Sequence, residues 1–180
     1  MMKKFFLLIL IISVRIISAY SQSSNIIYIW NNILSELCIP ENYSYDNLES
    51  IVSDNKNVLS IEVAEIRNRH DGQYIDSIYT LHFINYSMVI YKSEYSQSYL
   101  LARIDIYLDK YKIIRSFFPD YSISEYRINE EFGEIIEEMS SDEVLVYATK
   151  TDSHNIIWNF ISLFFTDDKM EMVRLIFRFE

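Results

Sequence analysis

The sequence predicts an α+β protein made of two tandem repeats, each a helix-loop-helix followed by an antiparallel sheet of three or four strands. Three observations carry this expectation. The chain's only two prolines sit in related octets, Ile39-Pro40-Glu41-Asn42-Tyr43-Ser44-Tyr45-Asp46 and Phe118-Pro119-Asp120-Tyr121-Ser122-Ile123-Ser124-Glu125. In each, a bulky apolar residue precedes proline, an acid follows it, and Tyr-Ser and a further acid come next. The hydrophobic spacing changes from helical to alternating once after each octet. The order of elements is therefore shared by residues 22–107 and 108–180, as expected of a supersecondary unit used twice.

The chain opens with Met1-Met2-Lys3-Lys4, an apolar run from Phe5 to Val14, and Ala19-Tyr20-Ser21. A positive region, an apolar region and a small-x-small site in that order predict a secretory signal over residues 1–21. The run is shorter than the roughly 20 apolar residues a spanning helix needs, and Arg15 interrupts its far end, so no stable membrane span is expected after cleavage. Loss of Lys3, Lys4 and Arg15 takes the net charge from −10 to −13. Such acidity excludes nucleic acid as the main partner, because phosphate backbones need a basic footprint. Half the residues are apolar, which excludes a disordered chain. Cys38 stands alone, so no internal disulfide can form.

From Asn25 to Leu37, Ile26, Ile29, Trp30, Ile33 and Leu37 recur at helical spacing, with Ser24 as the cap. Pro40 ends that helix, and Ser44 is placed to cap a short second one carrying Leu48, Ile51 and Val52. Leu59, Ile61 and Val63 alternate as a strand, and Asp71-Gly72 marks a hairpin turn. Tyr79, Leu81 and Phe83 alternate on the next strand, which Met88 to Lys92 runs back along. The strand over 99–108 puts Leu100, Ala102, Ile104, Ile106 and Leu108 on one face and Tyr99, Leu101, Arg103, Asp105 and Tyr107 on the other.

In the second half, Leu108, Tyr111, Ile114 and Phe118 form a helical stripe that stops at Pro119. Ser122-Ile123-Ser124-Glu125 has capping-box spacing. The helix it opens is expected to carry Ile128 and Phe132 and to close at Gly133 as the C′ residue. Strands follow over 143–149 and 156–165, Thr166-Asp167-Asp168-Lys169 makes a hairpin, and Val173, Leu175, Phe177 and Phe179 share one face of the last strand.

This arrangement resembles the β-lactamase-inhibitor-protein fold, a twice-used helix-loop-helix and meander. The second half, with its capped helix ending in Phe132-Gly133, its Asp-Asp-Lys turn and its closing strand, is similar to the small bacterial outer-membrane assembly lipoproteins. In residues the likeness covers the Pro-acid-Tyr-Ser turns and the Phe-Gly helix end. The lone Cys38 cannot supply the inhibitor family's disulfides, and no cysteine stands at the cleavage point to carry a lipid. The resemblance implies a binding scaffold whose open sheet face holds a partner, and inhibition of a β-lactamase does not carry over.

Signals for chemistry are sparse. His70, His82 and His154 lie far from one another and from Cys38, so zinc spacings are missing and no metal site is expected. Gly72 and Gly133 are the only glycines, which removes phosphate loops and nucleophile elbows. Cys38, beside Leu37 and Ile39, reads as a small buried hydrophobe. Glu130, Glu131, Glu134, Glu137, Glu138, Asp142 and Glu143 form an acidic run best read as a solvated face. The candidate site is the open sheet face with Tyr99, Arg103, Tyr107, Arg174 and Arg178, since tyrosine and arginine dominate binding hot spots. The expected function is an exported, non-enzymatic, cofactor-free protein-binding scaffold in the periplasm, at the cell surface or secreted. The alternatives are a secreted hydrolase using carboxylates in a cleft between the repeats, and a structural envelope component.

Overall fold

Eight strands form one antiparallel sheet in the spatial order 58–67, 75–83, 86–92, 99–107, 169–176, 158–166 and 144–150, with 44–45 set against the start of 99–107. The computed structural model describes residues 25–54, 58–67, 75–94, 98–129, 132–150 and 158–177. The leader expected over 1–21, the Asp71-Gly72 turn, His70, His154 and Arg178 lie outside these residues. The elements are α1 (Asn25–Glu36), β1 (Ser44–Tyr45), α2 (Leu48–Asp54), β2 (Val58–Arg67), β3 (Ile75–Phe83), β4 (Tyr86–Lys92) and β5 (Tyr99–Tyr107). There follow α3 (Lys112–Arg115), α4 (Ile123–Ile128), a 3₁₀ turn (Glu137–Met139), β6 (Val144–Lys150), β7 (Trp158–Thr166) and β8 (Lys169–Ile176).

The expected α+β class with two separate repeat sheets is overturned: the molecule is mostly one eight-stranded sheet with a few short helices. The reason lies at the β5–β8 seam. Ile104 pairs with Leu175 and Ile106 with Val173, and all four are fully buried. Joining the two meanders there buries this double row and satisfies backbone groups that two small sheets would each leave on an open edge.

The helices all pack on one face. Ile26, Ile29, Trp30, Ile33 and Leu37 of α1 enter the core with Ile51 of α2 and Ile114 of α3. The amphipathic spacing of α1 holds as read. Its end is a Schellman motif, with the Ile39 amide donating to the Leu34 carbonyl (2.9 Å) and the Cys38 amide to Ser35 (3.2 Å). Cys38 occupies the C′ position at φ +53°, where a side chain is turned outward. It is exposed, not the buried hydrophobe expected.

Other local expectations shift by a few residues. Ser44 lies in β1, and Asn47 caps α2 instead, its Oδ1 accepting from the Ser50 amide at 2.7 Å. The capping box at Ser122 forms as read. The Ser122 hydroxyl accepts from the Glu125 amide, and the Glu125 carboxylate accepts from the Ser122 amide at 2.8 Å, which holds its pKa below the usual range. The helix it opens stops at Ile128, so Gly133 is not a C′ residue. It sits at φ +151° beneath the first turn of α1, where the Ile26 amide donates to the Phe132 carbonyl at 3.0 Å. Among the described residues no helix is long and apolar enough to cross a membrane.

Candidate functional site

The sheet face opposite the helices is defined by register. Along β5 the pairing with β4 slips between Val89 and Ile90, since Val89 faces Arg103 and Ile90 faces Leu101. Ala102 is the extra residue of a bulge, which reverses the alternation expected for the first part of the strand. Before the bulge, Tyr99 and Leu101 point to the helices; after it, Ile104, Ile106 and Leu108 do. Leu101 is fully buried in the main core, and Tyr99 packs against that core with its ring 5.7 Å from Tyr79 and the Lys92 ammonium 4.4 Å above it.

Of the five residues read as one site, the structure therefore brings together Arg103, Tyr107 and Arg174. Tyr99 belongs to the opposite face, and Arg178 lies outside the described residues. Tyr107 pairs with Met172, and Asp105 with Arg174. Tyr107 is 39% exposed.

The centre of this face is Asp105, which no sequence signal marked beyond its place in the alternation. Its side chain is only 8% exposed and is held between two arginines. Arg174 donates from Nε to Oδ1 at 2.6 Å and from Nη2 to Oδ2 at 3.3 Å, a forked pair of charge-assisted bonds. Its guanidinium also lies 5.0 Å from the Phe164 ring centre. Arg103 brings Nε to 3.2 Å from Oδ2, in ion-pair contact, but that buried N–H makes no hydrogen bond among the described residues. The arginine side chains remain 41% and 28% exposed, so the triad is a net positive centre open to solvent on one side.

A polar row crosses the sheet through this point, from His82 by Ser87, Asp105 and Arg174 to Ser162. His82 Nε2 stands 3.5 Å from Glu62 at the row's outer end. Apolar side chains flank it: Val89, Ile176 and Phe160 on one side, Met172 and Phe164 on the other. Phe160 and Val146 are buried although neither belongs to the helix-packed core. The strand β7 is thus apolar on both faces, which its continuous apolar run gave no way to assign.

Of the acidic run, Glu130 and Glu131 lie outside the described residues, and Glu134, Glu137, Glu138, Asp142 and Glu143 are exposed. Arg127 donates to Glu137 at 2.7 Å, and Asp142 and Glu143 line a cleft with Asp167, Asp168, Ile123, Phe165 and Thr166 in which all four carboxylates are exposed. Among the described residues no group of histidine, cysteine or acid side chains could hold a metal ion. The large pKa shifts lie elsewhere. Burial pushes the hydroxyls of Tyr86, Tyr126 and Tyr147 well above their usual range, and burial together with the Glu36 carboxylate pushes Tyr111 up to about 12. All four contribute to the core on the helix side.

Comparison with protein-family models, with curated proteins and with solved structures gives no match. The geometry of the chain itself carries the functional reading.

Proposed function

We propose that the chain is a non-enzymatic binding scaffold whose partner is a protein seated on the helix-free face of the sheet, with a carboxylate of that partner over Arg103. The observation that carries this reading is the Arg103–Asp105–Arg174 triad. Arg174 holds Asp105 by a forked pair of hydrogen bonds, while Arg103, its side chain 41% exposed, touches Asp105 only as an ion pair at the centre of an apolar surround. An arginine ringed by half-buried apolar side chains, with an exposed tyrosine nearby, is the composition of a binding hot spot. A positive centre on an acidic chain also selects for an acidic group on the partner. The strongly shifted groups support a structural rather than a catalytic role, since they are tyrosines of the core. We propose further that the protein is exported, as the charge and apolar pattern over residues 1–21 implies.

The test is site-specific photo-crosslinking in the producing cell. With benzoylphenylalanine at position 89 or 107, irradiation is expected to yield an adduct of defined mass. The same probe at Tyr28, 65% exposed on α1, is expected to yield none. Arg103→Gln should cut the adduct from position 89 at least fivefold with the far-ultraviolet spectrum unchanged. Equal adducts from position 28, or full yield in Arg103→Gln, would overturn the assignment.

A further inference from the structure

At the end of the sheet where β5 leaves and β8 begins, a cleft of about 650 Å³ opens between Tyr107, Phe164 and the short helix α3. That volume is typical of small-ligand sites. Four of the chain's sixteen cationic side chains line it: Lys110 from the turn after β5, Lys112 and Arg115 from α3, and Lys169 from the β7–β8 hairpin. Only Asp109 and Glu171 oppose them there. A chain of net charge −10 thus gathers a local net positive charge in a concavity. Low-dielectric walls around such a cluster focus its field on whatever enters.

The cations are not used up by the fold. Lys112 and Lys169 make no ion pair among the described residues. Lys110 lies 5.1 Å from the Tyr107 ring, and Arg115 is the one already paired, to Asp120 at 2.5 Å. The remaining wall is apolar, formed chiefly by Leu108, Phe164, Met170 and Met172.

We propose that this cleft is an anion site, taking a small ligand with a multiply charged phosphate or carboxylate head against the lysines and an apolar or aromatic body along Tyr107 and Phe164. The site goes beyond the docking reading, because its cations are not those of the triad and its occupant is a small molecule. Lysines suit the head group as mobile point charges that adapt to either oxyanion. Tyr107 can stack on a flat body while Lys110 stays above the ring.

The experiment is an amide-resolved NMR titration of the full chain with tripolyphosphate and, separately, with citrate in 0.15 M NaCl. We expect saturable shifts confined to the segments around Lys110, Lys112 and Lys169, with half-saturation below about 1 mM for at least one probe. Tighter tripolyphosphate binding identifies a phosphate head and tighter citrate binding a carboxylate head, and either ranking sustains the site. Lys112→Glu with Lys169→Glu, both exposed positions, should weaken binding at least tenfold, whereas Arg103→Gln should leave it unchanged. Shifts that do not saturate, that spread equally to Arg67 and Arg127, or that survive the double substitution would overturn the proposal.

Discussion

Replacing Gly133 by alanine tests a close approach between α1 and the chain beneath it. A Cβ at that position would lie 2.8 Å from Ile26 Cγ2 and 3.3 Å from both Ile26 Cβ and Tyr147 Cδ1. Carbon atoms prefer about 3.5–4.0 Å, so one of the walls must retreat by roughly 0.7 Å. Neither is free to do so. Ile26 is buried in the first turn of α1 and tied by its amide to Phe132, and Tyr147 is buried in the core. Overpacking of this kind costs about 1–3 kcal/mol. The φ of +151° adds strain of about 1–3 kcal/mol for any residue with a side chain. Lower entropy of the unfolded alanine chain returns about 0.4–1 kcal/mol. The net loss is therefore about 1–5.5 kcal/mol, a large share of the roughly 5–15 kcal/mol that holds a domain together.

Urea unfolding followed by tryptophan fluorescence measures this loss, with Trp30 on α1 as a buried reporter. The midpoint should fall while the slope stays the same, as expected when the native state alone is strained. A second substitution locates the cost. Ile26→Ala removes the Cγ2 atom, so the double variant should be more stable than the sum of the single losses by about 1 kcal/mol or more. A loss below about 0.5 kcal/mol for Gly133→Ala, or strict additivity with Ile26→Ala, would refute the steric reasoning.

Two further predictions rest on equally local features. The tyrosine hydroxyls raised by burial make the fold alkali-labile, because unfolded tyrosines ionise near pH 10 while Tyr86, Tyr111, Tyr126 and Tyr147 keep their protons in the native state. Their contribution is complete below about pH 10 and is lost as pH rises toward the native values, so unfolding should release several phenolic protons together. Absorbance at 295 nm and circular dichroism should change in the same step, whereas smooth ionisation near pH 10 with the fold intact would contradict it. At the end of α1, Cys38→Gly relieves the left-handed C′ conformation and should raise stability by about 1 kcal/mol in the same urea assay. A loss of stability there would show that the side chain does more than tolerate its backbone.

What could be read in advance was whatever depends on neighbours in the chain. The stripe of α1, the capping box at Ser122 and the hairpin at Asp167-Asp168 are set by residues within a few positions of one another. Both hairpin residues adopt the positive φ that a two-residue turn demands. The bulge at Ala102 was not legible, because strict alternation through Leu100, Ala102 and Ile104 looks like a better strand than the real one. That single extra residue moved Tyr99 off the candidate face. The pairing of β5 with β8 was not legible either, because hydrophobic period says which face of a strand is buried and nothing of which strand lies beside it. The Asp105–Arg174 contact spans 69 residues and exists only through that pairing. Arg103, Tyr107 and Arg174 could be proposed from type and parity alone, whereas the acid that organises them could not.

The position of β8 has a consequence for how the protein comes into being. The strand that completes the centre of the sheet is synthesised after every other described strand. At roughly 5–20 residues per second, β5 waits on the order of 3–14 s for the segment that will cover its flank. During that interval the first meander presents an open, apolar edge, of which β1 screens only the far end at Tyr99 and Leu100. Loss of β8 would therefore remove the keystone of the sheet, not a dispensable tip. Nascent chains of this protein need either rapid completion or a companion for β5 until the keystone arrives.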